Sequence, residues 1–169
     1  MLLMVGGLAT LGAGTASAAE GRTLEQAMQK EKCRIVVGKA DPVTGISPVK
    51  EDTCDPNGKR LPAGNRAILT PLLTLWSDID IEGWNINLYG DAGPCDPLGY
   101  GFSNLTSQNT SLGGITSFQT WNNCTGQRAY RQAGYVDNSC PFYHGYVTYF
   151  VGDWCNDQIR SMKVYLYYG

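Results

Sequence analysis

Few residues in this chain have the types and spacing to do chemistry. His144 is the only histidine. A zinc site of several histidines is therefore excluded, and a Ser-His-Asp triad would have to use this one residue. It stands in Pro141-Phe142-Tyr143-His144-Gly145, which reads as an exposed turn. There is no GxSxG elbow and no phosphate-binding glycine loop. Asp78-Ile79-Asp80-Ile81-Glu82-Gly83 imitates the opening of an EF-hand loop. Its twelfth position is Tyr89 rather than a bidentate glutamate, so the calcium geometry of that loop is missing. Strand alternation would place Asp78, Asp80 and Glu82 together on a solvated acidic face. The expectation is a protein that is not an enzyme.

Six cysteines remain. No CxxC pair suggests zinc. Leu2 to Leu11 forms an apolar run, and Ala16-Ser17-Ala18 supplies a small-x-small cleavage site, so residues 1–18 read as a secretory signal peptide lacking its basic start. The expected product is secreted, without a membrane span, and an oxidising compartment makes the cysteines disulfides. Six allow fifteen pairings. With every thiol paired, no cysteine nucleophile is left. The formal charge of −2 argues against nucleic acid as a partner.

The elements that position these residues fall into two unequal parts. Every Trp, Tyr and Phe lies between Trp76 and Tyr168. Residues 19–72 hold none, so they read as an extension and linker able to bury little surface of their own. Within them Thr23-Leu24-Glu25-Gln26 has the form of a capping box, which predicts a helix from about Leu24 to Lys32. Arg34 to Val37 reads as a strand, Asp41-Pro42-Val43-Thr44-Gly45 as a turn, and Ile46 to Val49 as the return strand. A turn centred between Val43 and Thr44 sets Cys33 opposite Cys54, where a bridge is easy. Asp55 to Asn65 reads as an exposed linker.

Residues 73–169 carry an internal echo. Gly83-Trp84 to Gly90-Asp91, Cys95 and Ile115-Thr116-Ser117-Phe118 are answered by Gly145-Tyr146 to Gly152-Asp153, Cys155 and Ile159-Arg160-Ser161-Met162. Cys95–Cys124 and Cys140–Cys155 follow as pairings within or at the edge of one repeat. Trp84, Ile86 and Leu88 alternate with Asn85, Asn87 and Tyr89, and Met162, Val164 and Leu166 with Ser161, Lys163 and Tyr165. No stretch has helical periodicity. Short strands, glycine-rich turns and two related halves predict an all-β, two-motif Greek-key sandwich. The long polar stretch from Asp96 to Gly114 reads either as a functional loop or as an insertion.

These residues resemble the βγ-crystallin superfamily. Trp76 followed by Gly83 matches the family's aromatic-to-glycine spacing once; in the second half the aromatic is Tyr130, with Gly145 much farther on, across an insertion containing Cys140. Asn156-Asp157-Gln158-Ile159-Arg160-Ser161 resembles the family's calcium signature. The resemblance implies sites built from both halves, with Asn156, Asp157, Thr116, Ser117 and Ser161 as the candidate calcium ligands. Arg160 stands where a ligating hydroxyl should be, and Leu112-Gly113 replace the acidic pair of the first half. The expectation is a structural turn that keeps the family's shape, with calcium as the alternative and no other cofactor.

The signal peptide and cysteines resemble the family's exported microbial members, which include calcium-binding proteins, metalloproteinase inhibitors and antimicrobial toxins. The leading expectation is a monomeric, secreted binding module acting on a protein target, a metalloproteinase inhibitor in its sharpest form. The alternatives are a calcium-binding structural or surface protein and an antimicrobial toxin. Tyr100 and Phe102, flanked by Gly99 and Gly101, are the expected contact residues. Trp154, beside Cys155, is expected to pack under its loop. Asn104, Asn109 and Asn123 head glycosylation sequons, of use only in a eukaryotic secretory host.

Overall fold

The computed structural model describes residues 21–54, 69–136 and 140–169. The expected signal peptide (1–18) and most of the linker after Cys54 lie outside the described residues. The elements in order are α1 (Leu24–Gln29), β1 (Glu31–Val37), β2 (Val49–Cys54), β3 (Thr70–Asp78), β4 (Glu82–Gly90), β5 (Tyr100–Phe102), α2 (Thr106–Leu112), β6 (Ser117–Thr120), β7 (Gly126–Tyr130), β8 (Phe142–His144), β9 (Val147–Thr148) and β10 (Ser161–Tyr165). Short 3-10 turns occupy Ile79–Ile81 and Ala133–Tyr135.

The strands form two sheets, in the orders β2-β1-β4-β3-β6-β9 and β5-β10-β7-β8. Taking β3 to β6 as one half and β7 to β10 as the other, the third strand of each half crosses to the opposite sheet. There β5 pairs with β10 and β9 with β6, both antiparallel. Each sheet thus needs strands from both halves, which makes the expected Greek-key sandwich a single cooperative unit. Leu73, Leu75, Ile86, Leu88 and Phe118 from one sheet meet Tyr100, Phe102, Ala129, Met162 and Val164 from the other in a buried core. Each of the Leu, Ile, Val, Met and Phe side chains contributes roughly 1.5–3 kcal/mol by leaving water.

The N-terminal segment is not an appended extension. β1 pairs in parallel with β4, from Cys33 beside Ile86 to Val37 beside Gly90, and so sits inside the larger sheet. Cys33, Ile35 and Val37 belong to the main core. Aromatic-free sequence proved no guide here, because β-branched residues on a strand bury surface without rings. The hairpin has the expected register, with Cys33 opposite Cys54 and Val36 opposite Glu51. Its return strand begins at Val49 rather than Ile46, after a turn in which the Asp41 carboxylate accepts the Val43 and Thr44 amides. The helix keeps its capping box, Thr23 with Gln26, but stops at Gln29 because Glu31 already joins the sheet.

The three bridges are Cys33–Cys54, Cys95–Cys124 and Cys140–Cys155, and no cysteine is free. Each closes a loop of 15 to 29 residues. A loop of such length gains about 3 kcal/mol by restricting the unfolded chain. Among the described residues, no helix is long and apolar enough to cross a membrane.

Candidate functional site

The two halves meet at a pair of equivalent corners. Ile115-Thr116-Ser117 opens β6 and Ile159-Arg160-Ser161 opens β10. Ser117 Oγ donates to the Asp78 carbonyl at 2.6 Å and accepts from the Ile81 amide at 3.1 Å. Ser161 Oγ donates to the Gln132 carbonyl at 2.6 Å and accepts from the Tyr135 amide at 3.1 Å. Each serine thereby pins the 3-10 turn that follows β3 or β7. The turns are themselves alike: Ile81 and Tyr135 both take positive φ, 54° and 63°. Trp76 and Tyr130 occupy the matching ends of β3 and β7.

The other part of the echo is not structural. Gly83–Tyr89 lies in β4, the second strand of its half, whereas 146–148 enters β9, the third strand of the other. β8 fills the missing second position, so similar glycine spacing arose on strands with different roles. The acidic run is also not one continuous strand: Asp78 ends β3 and Glu82 opens β4. Asp80 adopts φ 59° within the 3-10 turn, although Asp78, Asp80 and Glu82 remain exposed. Glu82 pairs with Arg22 and Lys30, which ties the N-terminal segment to this corner.

The candidate calcium residues separate into two groups. Ser117 and Ser161 are spent on the turns just described. Thr116, Asn156 and Asp157 converge: Thr116 Oγ1 lies 3.4 Å from Asp157 Oδ1, and Asn156 Nδ2 lies 3.1 Å from Asp157 Oδ2. Asn156 Oδ1 is buried without a hydrogen-bond partner. Gly114 is required beneath them, because a Cβ there would fall 1.7 Å from Asp157 Oδ1. This oxygen-rich nook fits a hard cation in donor type. Arg160, at the position equivalent to Thr116, donates to the Asp157 and Ile159 carbonyls, so a guanidinium takes up those oxygens. Among the described residues no group of three or more His, Cys, Asp and Glu is placed to hold a metal.

Tyr100 and Phe102 are not surface anchors. They are 1% and 3% exposed, on β5 in the core. Tyr100 Oη donates to the Gly93 carbonyl at 2.6 Å, and Gly90 leaves room for its ring. Burial raises its phenol pKa. The stretch 96–114 is largely ordered as β5 and α2 rather than a loop. Its helix went unseen because Gln108 and Asn109 occupy buried positions; Leu105 and Leu112, seven apart and followed by left-handed Gly113, were the available signal. Asn109 is buried and donates to the Asp157 carbonyl, which leaves its sequon inaccessible in the folded chain.

The exposed aromatics lie elsewhere. Residues 146–151 run beside β6, with the Thr120 amide donating to the Tyr146 carbonyl and the Val151 amide to the Thr116 carbonyl. Tyr146 and Phe150 are exposed on this edge, and Trp154 beyond them is 63% exposed, contrary to the expectation that it packs under its loop. The Arg131 guanidinium lies 4.4 Å from the Trp154 ring. Tyr143 points inward from β8, edge-on to Phe118, and donates to the Val151 carbonyl at 2.7 Å. His144 is exposed at the end of β8 rather than in a turn.

No family model and no curated protein matches the sequence. Among solved structures, the chain is similar to a βγ-crystallin domain from Clostridium beijerinckii, with 20% identity, 56% of this chain and 97% of that chain covered, and a TM-score of 0.40. It is similar to a clostrillin double mutant in complex with nickel, with 20% identity, 57% and 99% covered, and a TM-score of 0.41. It is also similar to the N-terminal domain of protein S, with 16% identity, 55% and 93% covered, and a TM-score of 0.38.

Proposed function

We propose that this chain is an exported, non-catalytic binding module whose target is a protein, and that its sharpest form is a metalloproteinase inhibitor. The observation supporting this is the edge segment 146–154. It exposes Tyr146, Phe150 and Trp154 on backbone hydrogen-bonded to β6 and tethered at Cys155 to Cys140. Aromatic side chains dominate interface hot spots, and a pre-ordered segment loses little entropy on docking. Export is supported by the apolar leader and by the three bridges.

The test is inhibition of a purified secreted zinc metalloproteinase by the wild type and by a Phe150→Ala/Trp154→Ala variant. The wild type inhibits, and the variant weakens inhibition at least about tenfold with an unchanged melting temperature. A wild type that inhibits no such enzyme removes the inhibitor form. A target recovered by cross-linking equally well with the variant removes this edge as the binding surface.

The Thr116–Asp157 nook favours a second reading, a calcium-stabilised structural domain. Calcium there would be held by Thr116, Asn156 and Asp157 and would give Asn156 Oδ1 a partner. Millimolar calcium then raises the melting temperature of the wild type and leaves Asp157→Ala unchanged. Equal melting curves with calcium and with chelator dismiss this reading.

A further inference from the structure

The outward face of the β5-β10-β7-β8 sheet carries an aromatic patch bordered by cations, with no role in either reading above. On β10, Met162 and Val164 enter the core, so Lys163 and Tyr165 point outward; on β7, Gln127 and Ala129 enter it and Arg128 points outward. On β8, Phe142 and His144 flank the inward Tyr143. The register sets Lys163 beside Arg128 and Arg128 beside Phe142, and in the next row Tyr165 beside Gly126 and Gly126 beside His144.

Gly126 is the device that joins the rings. A Cβ there would lie 2.8 Å from Tyr165 Cε2 and 2.8 Å from Tyr167 Cβ. Without one, Tyr165 reaches across β7 and stacks near Phe142, centroids 6.3 Å apart at 20°, while Tyr167 meets Phe142 edge-on at 5.1 Å. Tyr167 is 44% exposed. The β5 side of the face is closed: Gly101 is covered by the Gly45 carbonyl and Tyr135.

Among the described residues, the charges on this face are of one sign. Arg128 and Lys163 are direct cross-strand neighbours, an arrangement that destabilises a sheet when nothing balances it. Lys163 lies 4.3 Å from the Tyr135 ring, which is attraction without neutralisation. Among the described residues, no carboxylate forms an ion pair with either cation; the ion pairs lie at Arg22, Lys30, Arg34 and Lys39. In a chain of net charge −2, an unbalanced basic pair beside clustered rings is a specific complementarity rather than a general basic surface.

We infer that this face binds an anionic polysaccharide, its sugar rings lying on Tyr165, Tyr167 and Phe142 and its acidic groups reaching Arg128 and Lys163. Pyranose rings present apolar C–H faces that pack on aromatic rings, and their polar rims stay wet. Neighbouring strands lie roughly 4.8 Å apart. That spacing is close to the advance per sugar of an extended chain, so a chain crossing the strands can meet successive strands with successive sugars.

The test is affinity electrophoresis of the intact protein through gels containing polygalacturonate, with hydroxyethylcellulose, poly-L-glutamate and oligouridylate as comparison polymers. Polygalacturonate retards the wild type, more at low than at high salt, and the comparison polymers do not. Arg128→Gln and Tyr167→Ala, both exposed positions, each weaken retardation about tenfold with unchanged melting temperatures, and Arg128→Lys restores most of it. No retardation by polygalacturonate overturns the inference. So does equal retardation by any comparison polymer, or retardation indifferent to both variants.

Discussion

Arg34 Nη2 donates to Glu31 Oε2 at 2.7 Å with both side chains buried on β1. The second carboxylate oxygen of Glu31 accepts from Asn87 Nδ2 at 3.2 Å and from Tyr89 Oη at 3.4 Å, and Asn87 in turn accepts from Thr74. A polar network therefore lies where alternation along β4 calls for a solvent face. It fastens β1 to β4 and β3. Removing Glu31 takes from the buried guanidinium its carboxylate partner at 2.7 Å. Glu31→Ala should cost about 3–5 kcal/mol in urea unfolding. Glu31→Leu combined with Arg34→Met should cost less than Glu31→Ala alone. A double variant worse than that single variant refutes the account.

The same placement reverses what composition suggests about residues 19–72. A chain beginning at Ala67 lacks β1 and β2, exposes the edge of β4 and loses Cys33, Ile35 and Val37 from the core. It should show no cooperative thermal transition by circular dichroism. A sharp transition in that fragment would show the sandwich to be self-sufficient.

The paired serines offer a symmetric test. Ser117→Ala and Ser161→Ala each remove a buried hydroxyl and leave one carbonyl and one amide without that partner. Each should destabilise by about 1–3 kcal/mol, and by similar amounts. A large loss for one and none for the other would mean the corners are alike in shape only.

Tyr143 gives a pH signature. Burial pushes its phenol up to about 12 from the ordinary 10.0. The folded chain holds that proton more tightly than the unfolded chain. Its contribution is therefore full below pH 10 and is lost as the pH rises toward 12. Burial also raises Tyr135. Absorbance titration of phenolate at 295 nm should show Tyr143 ionising late, and Tyr143→Phe should flatten the alkaline fall in stability between those values. An unchanged alkaline profile in the variant contradicts this assignment.

Much of the architecture was legible because its determinants are local. Alternation at Ile86 and Leu88 and at Met162 and Val164 marks strands whose inward side chains are two apart. Thr23 and Gln26 are three apart, so a capping box can be read from four letters. The Asp41 turn and the hairpin register set Cys33 opposite Cys54 without reference to the rest of the chain. The Ile-x-Ser openings at 115 and 159 marked equivalent corners for the same reason.

What only the tertiary structure decided depends on residues far apart in sequence. Nothing near Ile35 announces that β1 lies parallel to β4 some fifty residues on. A parallel pairing leaves no turn between its strands to signal it. Tyr100 and Phe102 sit among glycines and look like loop residues; the crossing of β5 to the other half's sheet buries them. Arg128 and Lys163 become neighbours, and Tyr165 reaches Phe142, only because β7 lies between β10 and β8 with a glycine at the gap. Side-chain type is a property of the sequence, but which side chains share a surface is set by strand order, and strand order is fixed by packing the two sheets together.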